Sequence, residues 1–473
     1  MPKDGGRSGL LMSLDAAAAI AANRFGLGAK PGDLSTIGGD ARGWLEVQLR
    51  GGAPLLAAPG LKSTAEILRE VDEVNQARRA QRAATAQEQV AAATKIGQVL
   101  RPIYLSEIQA RLLNAVSTQR PFVERLVYFW SNHFAVSVDK TAVTGVAGSL
   151  EREAIRPHVL GNFSQLLLAV EQHPAMLLYL DNQRSVGPDS LLATRAARHD
   201  RTVGLNENLA REILELHTLG VDGGYTQSDV TSFAKVLTGW SLGGGPGNRA
   251  QGNPGEFFYR SEVHEPGAQT VFRRRYEQSD IEQGQAVLHD LAVAPQTARH
   301  IATKLARHFI ADDPPPRAVT QIAQAFEKSG GDLPATYKAV IACQEVWATP
   351  LSKFKTPQDY VLSMYRGLEI PVEERRDAVG AFNTLGQRQF SPGSPAGYPD
   401  RSADWDGASA LMKRIEFADS IAQKVGASPA VAELGPQLLG ATYSEETRIS
   451  ISRAANAAQA LTLLLTSPEF LRR

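Results

Sequence analysis

Apolar residues recur every three to four positions along most of this chain, which is the repeat of an α-helix that buries one face. Glycine and proline interrupt the repeat at intervals, as they do between helices. We therefore expect an all-α fold, a large multi-helix globular unit with long loops. The predicted helices cover residues 121–135, 143–156, 163–180, 205–220, 226–240, 280–293, 295–312, 316–329, 333–348, 356–369, 374–386, 408–424 and 445–467.

The pattern is weaker in the N-terminal part of the chain. Residues 1–12 are expected to be a disordered N-terminus, and a first helix is predicted over 13–24. Residues 13–473 are expected to form a single helical domain. Within it, the stretch rich in Ala, Gln and Arg at about 62–100 predicts a helical arm, whose first helix runs over about 64–96. The arm has no sustained heptad, so it suits a solvated arm or a helical hairpin better than a coiled coil.

Strand patterns are scarce, and one segment carries them. Two short alternating runs within 257–276 flank Glu265-Pro266-Gly267, which predicts one small β-hairpin. Long loops are predicted over 183–204, 242–256 and 388–407. Loops of this length in a compact domain often have a function, so we expect 183–204 or 388–407 to close over a pocket as a mobile lid.

Composition narrows the classes of protein. The 473 residues include 50 Lys and Arg against 50 Asp and Glu, and this balance argues against a dedicated nucleic-acid-binding protein. The one cysteine, Cys343, excludes an intramolecular disulfide and a multi-cysteine metal site. No run of 18 apolar residues occurs, so no transmembrane segment is expected. Asp15 interrupts the early Ala-rich run, which favours a cytoplasmic protein, with export by an unrecognised signal as the alternative.

The predicted helix 205–220 carries the most informative pattern. At 100° per residue, Glu207, Arg211, Glu212 and Glu215 fall on one stripe, while the opposite face is apolar. Three carboxylates and an arginine on one stripe suit acid/base catalysis or a hard metal ion. The alternative is a solvated face whose charges pair at a spacing of four residues.

Several histidines are candidates for the same chemistry. His133 follows an aromatic run, His173 precedes a proline with Asp181 eight residues further on, and His264 lies in the predicted hairpin turn. A histidine among aromatic residues is more often a packed core residue than a ligand. No H-E-x-x-H motif occurs, so any metal site would have to be assembled from distant segments.

Long motifs in one order resemble the bacterial domain-of-unknown-function family 1800 (DUF1800). The resemblance extends from about residue 23 to the C-terminus. It implies one mostly helical unit and no established activity, and it implies a sulfatase-like partner family (DUF1501) encoded nearby. The motifs are FWSNHFAVS (129–137), HPAMLLYLDN (173–182), LNENLAREILELHTLGVDGGYTQSDV (205–230), LTGW (237–240), HEPG (264–267) and SPAGYPD (394–400).

The resemblance places the candidate residues on family motif positions and leaves two hypotheses. The first is a metal-dependent enzyme, such as a hydrolase, whose pocket is centred on 205–220 and whose cofactor is a divalent metal ion. The second is a non-catalytic binding or scaffold protein that acts with the sulfatase-like partner through the arm. In the first, the catalytic residues are Glu207, Arg211, Glu212 and Glu215, and the metal ligands are His133, His173, Asp181 and His264.

Overall fold

A computed structural model describes most of the chain, and helices make up most of what it describes. The described residues are 16–56, 58–80, 86–244, 251–348, 351, 353–372, 375–425 and 431–473, without the side chains of 77–80, 86–94 and 375–378. The predicted N-terminus, 1–12, lies outside them. Within the described part, no helix combines the length and the apolar character needed to cross a membrane.

The α-helices account for most of the described secondary structure, and the all-α prediction is confirmed. They are α1 Asp33–Ile37, α2 Ala41–Gln48, α3 Thr64–Ala80, α4 Ala86–Ser117, α5 Pro121–His133, α6 Ala147–Leu150, α7 Phe163–Glu171, α8 Pro174–Tyr179, α9 Leu191–Ala197, α10 Asn208–Glu212, α11 Gln227–Val236, α12 Asp280–Ala292, α13 Pro295–Phe309, α14 Pro316–Lys328, α15 Leu333–Ala342, α16 Glu345–Ala348, α17 Pro357–Gly367, α18 Arg375–Thr384, α19 Ala408–Val425, α20 Val431–Leu439, α21 Glu445–Ser452 and α22 Ala457–Leu465. Ala21–Phe25, Glu151–Ile155 and Ile213–His217 have the wider π-helical form.

The arm is built from α3 and α4. These helices lie side by side, since Ile67 of α3 and Leu100 of α4 line the same cavity. Whether the arm is a hairpin or a solvated arm stays a prediction, because residues 81–85, which join the two helices, lie outside the described part of the chain. The described part of α3 reaches Ala80, and the next described helix, α4, begins at Ala86.

Two small antiparallel strand pairs complete the described secondary structure. β1 (Trp240–Leu242) pairs with β2 (Phe257–Tyr259), and β3 (Gln269–Val271) pairs with β4 (Arg274–Tyr276). A β-hairpin thus lies inside the predicted segment 257–276, but its turn is at Phe272 and Arg273 and not at 265–267. Both turn residues have positive φ, 46° and 67°, as a tight two-residue hairpin turn requires.

Helix α5 runs through the middle of the core. Phe122, Leu126 and Trp130 on this helix are fully buried. The core also contains charged residues held in pairs: Arg125 on α5 bonds to Asp359 on α17 at 2.8 Å. Charged side chains are rarely fully buried without a partner, so these pairs fix how α5 and α17 meet. The end of α5, at His133, opens into the site described next.

Candidate functional site

A pocket lies where the C-terminal end of α5 meets α13, the segment 353–359 and the loop 388–407. Its empty volume is about 1080 Å³, the space at its open mouth included. Its walls combine aromatic rings with charged and polar side chains, which is the usual composition of a small-molecule site. The polar lining residues include Asn132, His133, Lys304, His308, Lys353, Asp359, Tyr398, Asp400 and Arg473.

Helix α13 presents three basic side chains toward this region. His300, Lys304 and His308 are four residues apart, so they share one face of the helix. Lys304 lines the pocket and, among the described residues, makes no hydrogen bond and no ion pair. Burial lowers the pKa of Lys304, Asp400 opposes this effect, and Arg307 adds to it. Lys304 is thus an amine that the protein itself leaves without a counter-ion in contact.

The pocket's other cations differ from Lys304, because each has a carboxylate partner. Arg125 and Arg473 bond to Asp359 at 2.8 and 2.9 Å. Lys353 pairs with Asp312 and also donates to the carbonyl of Asp400 at 2.6 Å. Burial alone would raise the pKa of Asp359, but Arg125 and Arg473 hold that pKa well below its usual range. The unpaired ammonium of Lys304 is therefore the exception in its surroundings.

Two histidines satisfy the end of the π-helical segment Ile213–His217. The Nε2 of His133 lies 3.1 Å from the carbonyl oxygen of His217, and the Nε2 of His300 lies 3.0 Å from that of Leu216. Only an N–H can bond to a carbonyl, so both rings carry their proton on Nε2. The Nδ1 of His133 is buried without a hydrogen-bond partner. His133 therefore turns a lone pair of electrons, and not a donor, toward its surroundings.

Burial favours the neutral form of three histidines, His133, His300 and His308. Burial lowers the pKa of His133 and His308 well below the usual value, and it lowers that of His300 to about 4. Lys304 adds to the lowering at His133 and His300, since a nearby cation disfavours a second one. The Nε2 of His308, in the pocket, also has no hydrogen-bond partner.

The loop 388–407 forms one wall of the pocket. The side chain of Asn132 donates to the carbonyl of Tyr398 at 3.0 Å and accepts from its N–H at 2.7 Å. The neighbouring Gly397 has φ +86°, and a Cβ there would lie 2.3 Å from the carbonyl oxygen of Asn132. The glycine of the SPAGYPD motif thus lets the loop approach α5. The loop 183–204 does not line this pocket, and the lid role and mobility stay predictions.

The predicted carboxylate stripe lies elsewhere, and none of its residues lines the pocket. Glu207 bonds to Arg211 at 3.1 Å, and it also accepts hydrogen bonds from Gln227 and Thr231 on α11. Glu212 is half-buried, and burial raises its pKa.

On this stripe, Glu215 accepts a hydrogen bond from Tyr225 at 3.4 Å. The predicted continuous helix is α10 followed by the π-helical Ile213–His217. Glu207 and Arg211 form an i,i+4 ion pair, which is the contact expected if the stripe is a solvated helix face. A catalytic role for the stripe stays a prediction.

The four proposed metal ligands are not brought together. His133 bonds to the carbonyl of His217, whereas the Nδ1 of His173 accepts from the N–H of Ala175 at the start of α8. Asp181 pairs with Lys140, and His264 donates from Nδ1 to the carbonyl of Thr238 at 2.8 Å. In the part of the chain that the structure describes, no three His, Cys, Asp or Glu side chains are placed to hold a metal ion.

Sequence reasoning missed Lys304, His308 and Arg473. The first two had a usable signal, because they repeat at a spacing of four with His300 inside the predicted helix 295–312. That spacing puts a basic stripe on one helix face. Arg473 had no such signal, since it reaches the pocket only because the chain pairs 353–355 with 471–473.

The comparisons with known proteins give one result. A family model described as "Protein of unknown function (DUF1800)" matches residues 20–472, and the chain belongs to this family. The match covers nearly the whole chain, as the motif resemblance predicted. No curated protein and no solved structure matches the chain.

Proposed function

We propose that this member of the DUF1800 family binds a small anionic molecule in the pocket at the end of α5, with Lys304 as the charge partner. The unpaired ammonium of Lys304 carries the proposal. A charge that is partly withdrawn from water without a partner is unfavourable. A ligand with a negative charge would pair with the ammonium and remove this cost. Binding of an anion is therefore more favourable by the free energy that the unpaired charge costs in the empty pocket.

The polar groups around Lys304 suit a carboxylate or phosphate ligand with a proton to share. The Nε2 of His308 has no partner, and the Nδ1 of His133 offers a lone pair. Neutral imidazoles accept or donate hydrogen bonds without adding charge, and they are the commonest acid/base groups in enzymes. Acid/base chemistry on the bound anion is thus the reaction type for which this pocket is equipped.

The aromatic walls indicate the rest of the ligand. Phe129, Phe390 and Trp405 line the pocket together with the polar groups. The ring of Phe129 lies 5.4 Å from that of His308, measured between ring centroids. Apolar walls hold apolar ligand surface out of water, whereas the few polar groups fix its orientation. We therefore expect a small organic acid or phosphate ester in preference to an inorganic ion.

The test compares anion binding by the wild type and by Lys304→Met. Melting temperatures are measured with acetate, benzoate, inorganic phosphate and phenyl phosphate at constant ionic strength. A ligand present at about one hundred times its Kd stabilises the folded protein by about 2.7 kcal/mol. The wild type should gain stability from at least one organic anion, and Lys304→Met should not.

The matched control is Lys338→Met, because Lys338 is an exposed lysine on the surface of α15. This variant should respond to anions like the wild type. Since methionine removes an unpaired charge from the pocket, Lys304→Met should fold at least as stably as the wild type without ligand. Equal stabilisation of the wild type and Lys304→Met by every anion would refute the proposal.

A further inference from the structure

A groove separates the arm from the body of the protein. It consists of two adjoining cavities that share Leu100 and Thr141, and their empty volumes are about 540 and 1170 Å³, open solvent included. Neither cavity shares a lining residue with the pocket at the end of α5. We call this feature the arm groove, and it is independent of the proposed anion site.

The cavity at the α3 end of the arm groove is almost entirely apolar. Ile67, Val71, Ile96 and Val146 line it, with Asn75 and Thr141 as its polar side chains. Its floor includes Gly145, where a Cβ would lie 2.6 Å from the Cδ2 of Leu100. Glycine thus lets the side chain of Leu100 pack against this segment, and the walls offer hydrocarbon surface to an apolar ligand.

The other cavity carries positive charge at its edge. Arg101 and Arg388 line it, together with Tyr104 and Asn383. Arg388 pairs with Asp139 at 3.3 Å, whereas Arg101 is exposed and, among the described residues, has no hydrogen bond or ion pair. Two arginines against one aspartate leave a net charge of one at this end. That matches a singly charged head group better than a doubly charged phosphate.

From this combination we infer that the arm groove binds a long-chain alkyl carboxylate, with its chain in the apolar cavity between the arm and residues 141–146 and its head at Arg101. From Arg101 the apolar wall runs toward Ile96 on α4 and, on α3, from Ile67 to Asn75, which is about 12 Å and accommodates most of an extended dodecyl chain. Burial of the chain supplies most of the affinity, since the favourable free energy of removing apolar surface from water grows with the area that is buried. The carboxylate then selects the orientation through its hydrogen bonds to the guanidinium.

The test is calorimetric titration with dodecanoate below its micelle concentration. Every variant carries Lys304→Met, so that the carboxylate is not taken up by the interior pocket. Thr141→Trp fills the junction of the two cavities and should weaken dodecanoate binding at least tenfold. The parent for comparison is the Lys304→Met protein. Thr320→Trp, at an exposed threonine on α14, is the matched control and should bind dodecanoate with the affinity of this parent.

The head group is tested separately from the chain. Arg101→Gln should lower the affinity for dodecanoate several-fold. It should leave the affinity for 1-dodecanol unchanged, because the uncharged alcohol forms no ion pair with Arg101. Butanoate should not bind measurably, since its chain is too short to fill the apolar end. If Thr141→Trp does not fold, as judged by circular dichroism, Ala142→Trp replaces it in the same wall.

Four results would overturn the inference. One is equal affinity of the folded tryptophan variants and the parent for dodecanoate. Another is tight binding of butanoate, and the third is an unchanged dodecanoate affinity in Arg101→Gln. Binding of a didecanoyl phospholipid with higher affinity than dodecanoate would also contradict it, because the groove would then recognise a membrane lipid.

Discussion

Lys355 should impose a pH dependence on stability that its replacement by methionine removes. Its side chain is buried, with Nζ 4.3 Å above the ring of Phe470. Burial lowers the pKa of Lys355 to about 7, although the nearby Asp359 opposes the shift and Arg125 adds to it. In the unfolded chain the same group has the ordinary lysine pKa of about 10.4.

The sign follows from which state holds the proton. Between pH 7 and about 10 the unfolded chain is protonated at Lys355 and the folded protein is not. Raising the pH removes the proton from the unfolded chain alone, so the free energy of unfolding rises with pH in this window. The contribution approaches about 1.4 kcal/mol per pH unit, or about 2 kcal/mol from pH 7 to pH 9.

Urea unfolding of the wild type and Lys355→Met at half-unit steps from pH 7 to pH 9 measures this slope. Methionine keeps the length of the side chain and cannot titrate, so its curve should lack about 1 kcal/mol per pH unit relative to the wild type. Lys338→Met, the exposed control on α15, should keep the wild-type slope. Parallel pH curves for the wild type and Lys355→Met would refute the reasoning.

The remaining predictions concern the pocket walls. Gly397→Ala should lower the melting temperature, because its Cβ would meet the carbonyl oxygen of Asn132; an unchanged value in calorimetry would contradict this. Stability should fall as pH drops from 6.5 to 4, since the pKa of His300 is lowered to about 4 and the unfolded chain takes up that proton first. His300→Gln should flatten this fall by about 3 kcal/mol in pH-dependent melts, and an identical fall in both proteins would count against it. Asp359→Asn should cost about 3–5 kcal/mol in urea unfolding because it strands two buried arginines, whereas Asp313→Asn, at an exposed pair, should cost less than about 1 kcal/mol. Equal losses would show that burial does not decide the effect.

Local pattern was enough to predict the helices but not their pairing. The predicted helix 295–312 is α13, Pro295–Phe309, because its apolar spacing and its proline at the first turn are local signals. The partner of Phe257–Tyr259 was missed, since β1 joins it across a loop whose return no short-range pattern encodes. The turn at Phe272 and Arg273 was missed because neither residue favours positive φ, which the two-residue turn between β3 and β4 requires.

The site shows the same limit more sharply. The stripe from Glu207 to Glu215 was visible because one helix carries all of it. Lys304 was overlooked because it matters for having no partner in contact. Whether a side chain has a partner is decided only when the chain is folded. His133 was named from the sequence as a metal ligand, and that role stays a prediction; its bond to the carbonyl of His217 joins two segments 84 residues apart. Sequence motifs thus indicated where to look, and three-dimensional contacts decided what was there.

The bonds from His133 and His300 to the end of Ile213–His217 have a consequence for mutational studies. The imidazole of His133 lines the pocket, and it also bonds to the backbone of the segment that carries Glu215 and follows Glu212. Side-chain scanning of the two regions will therefore give correlated phenotypes, and a defect at His133 will not by itself identify which region failed. Double-mutant cycles between Lys304 and Glu212 would separate the roles of the pocket and the stripe. Additive effects would assign independent roles, whereas a coupling free energy would measure how strongly the histidine bonds link the pocket to the stripe.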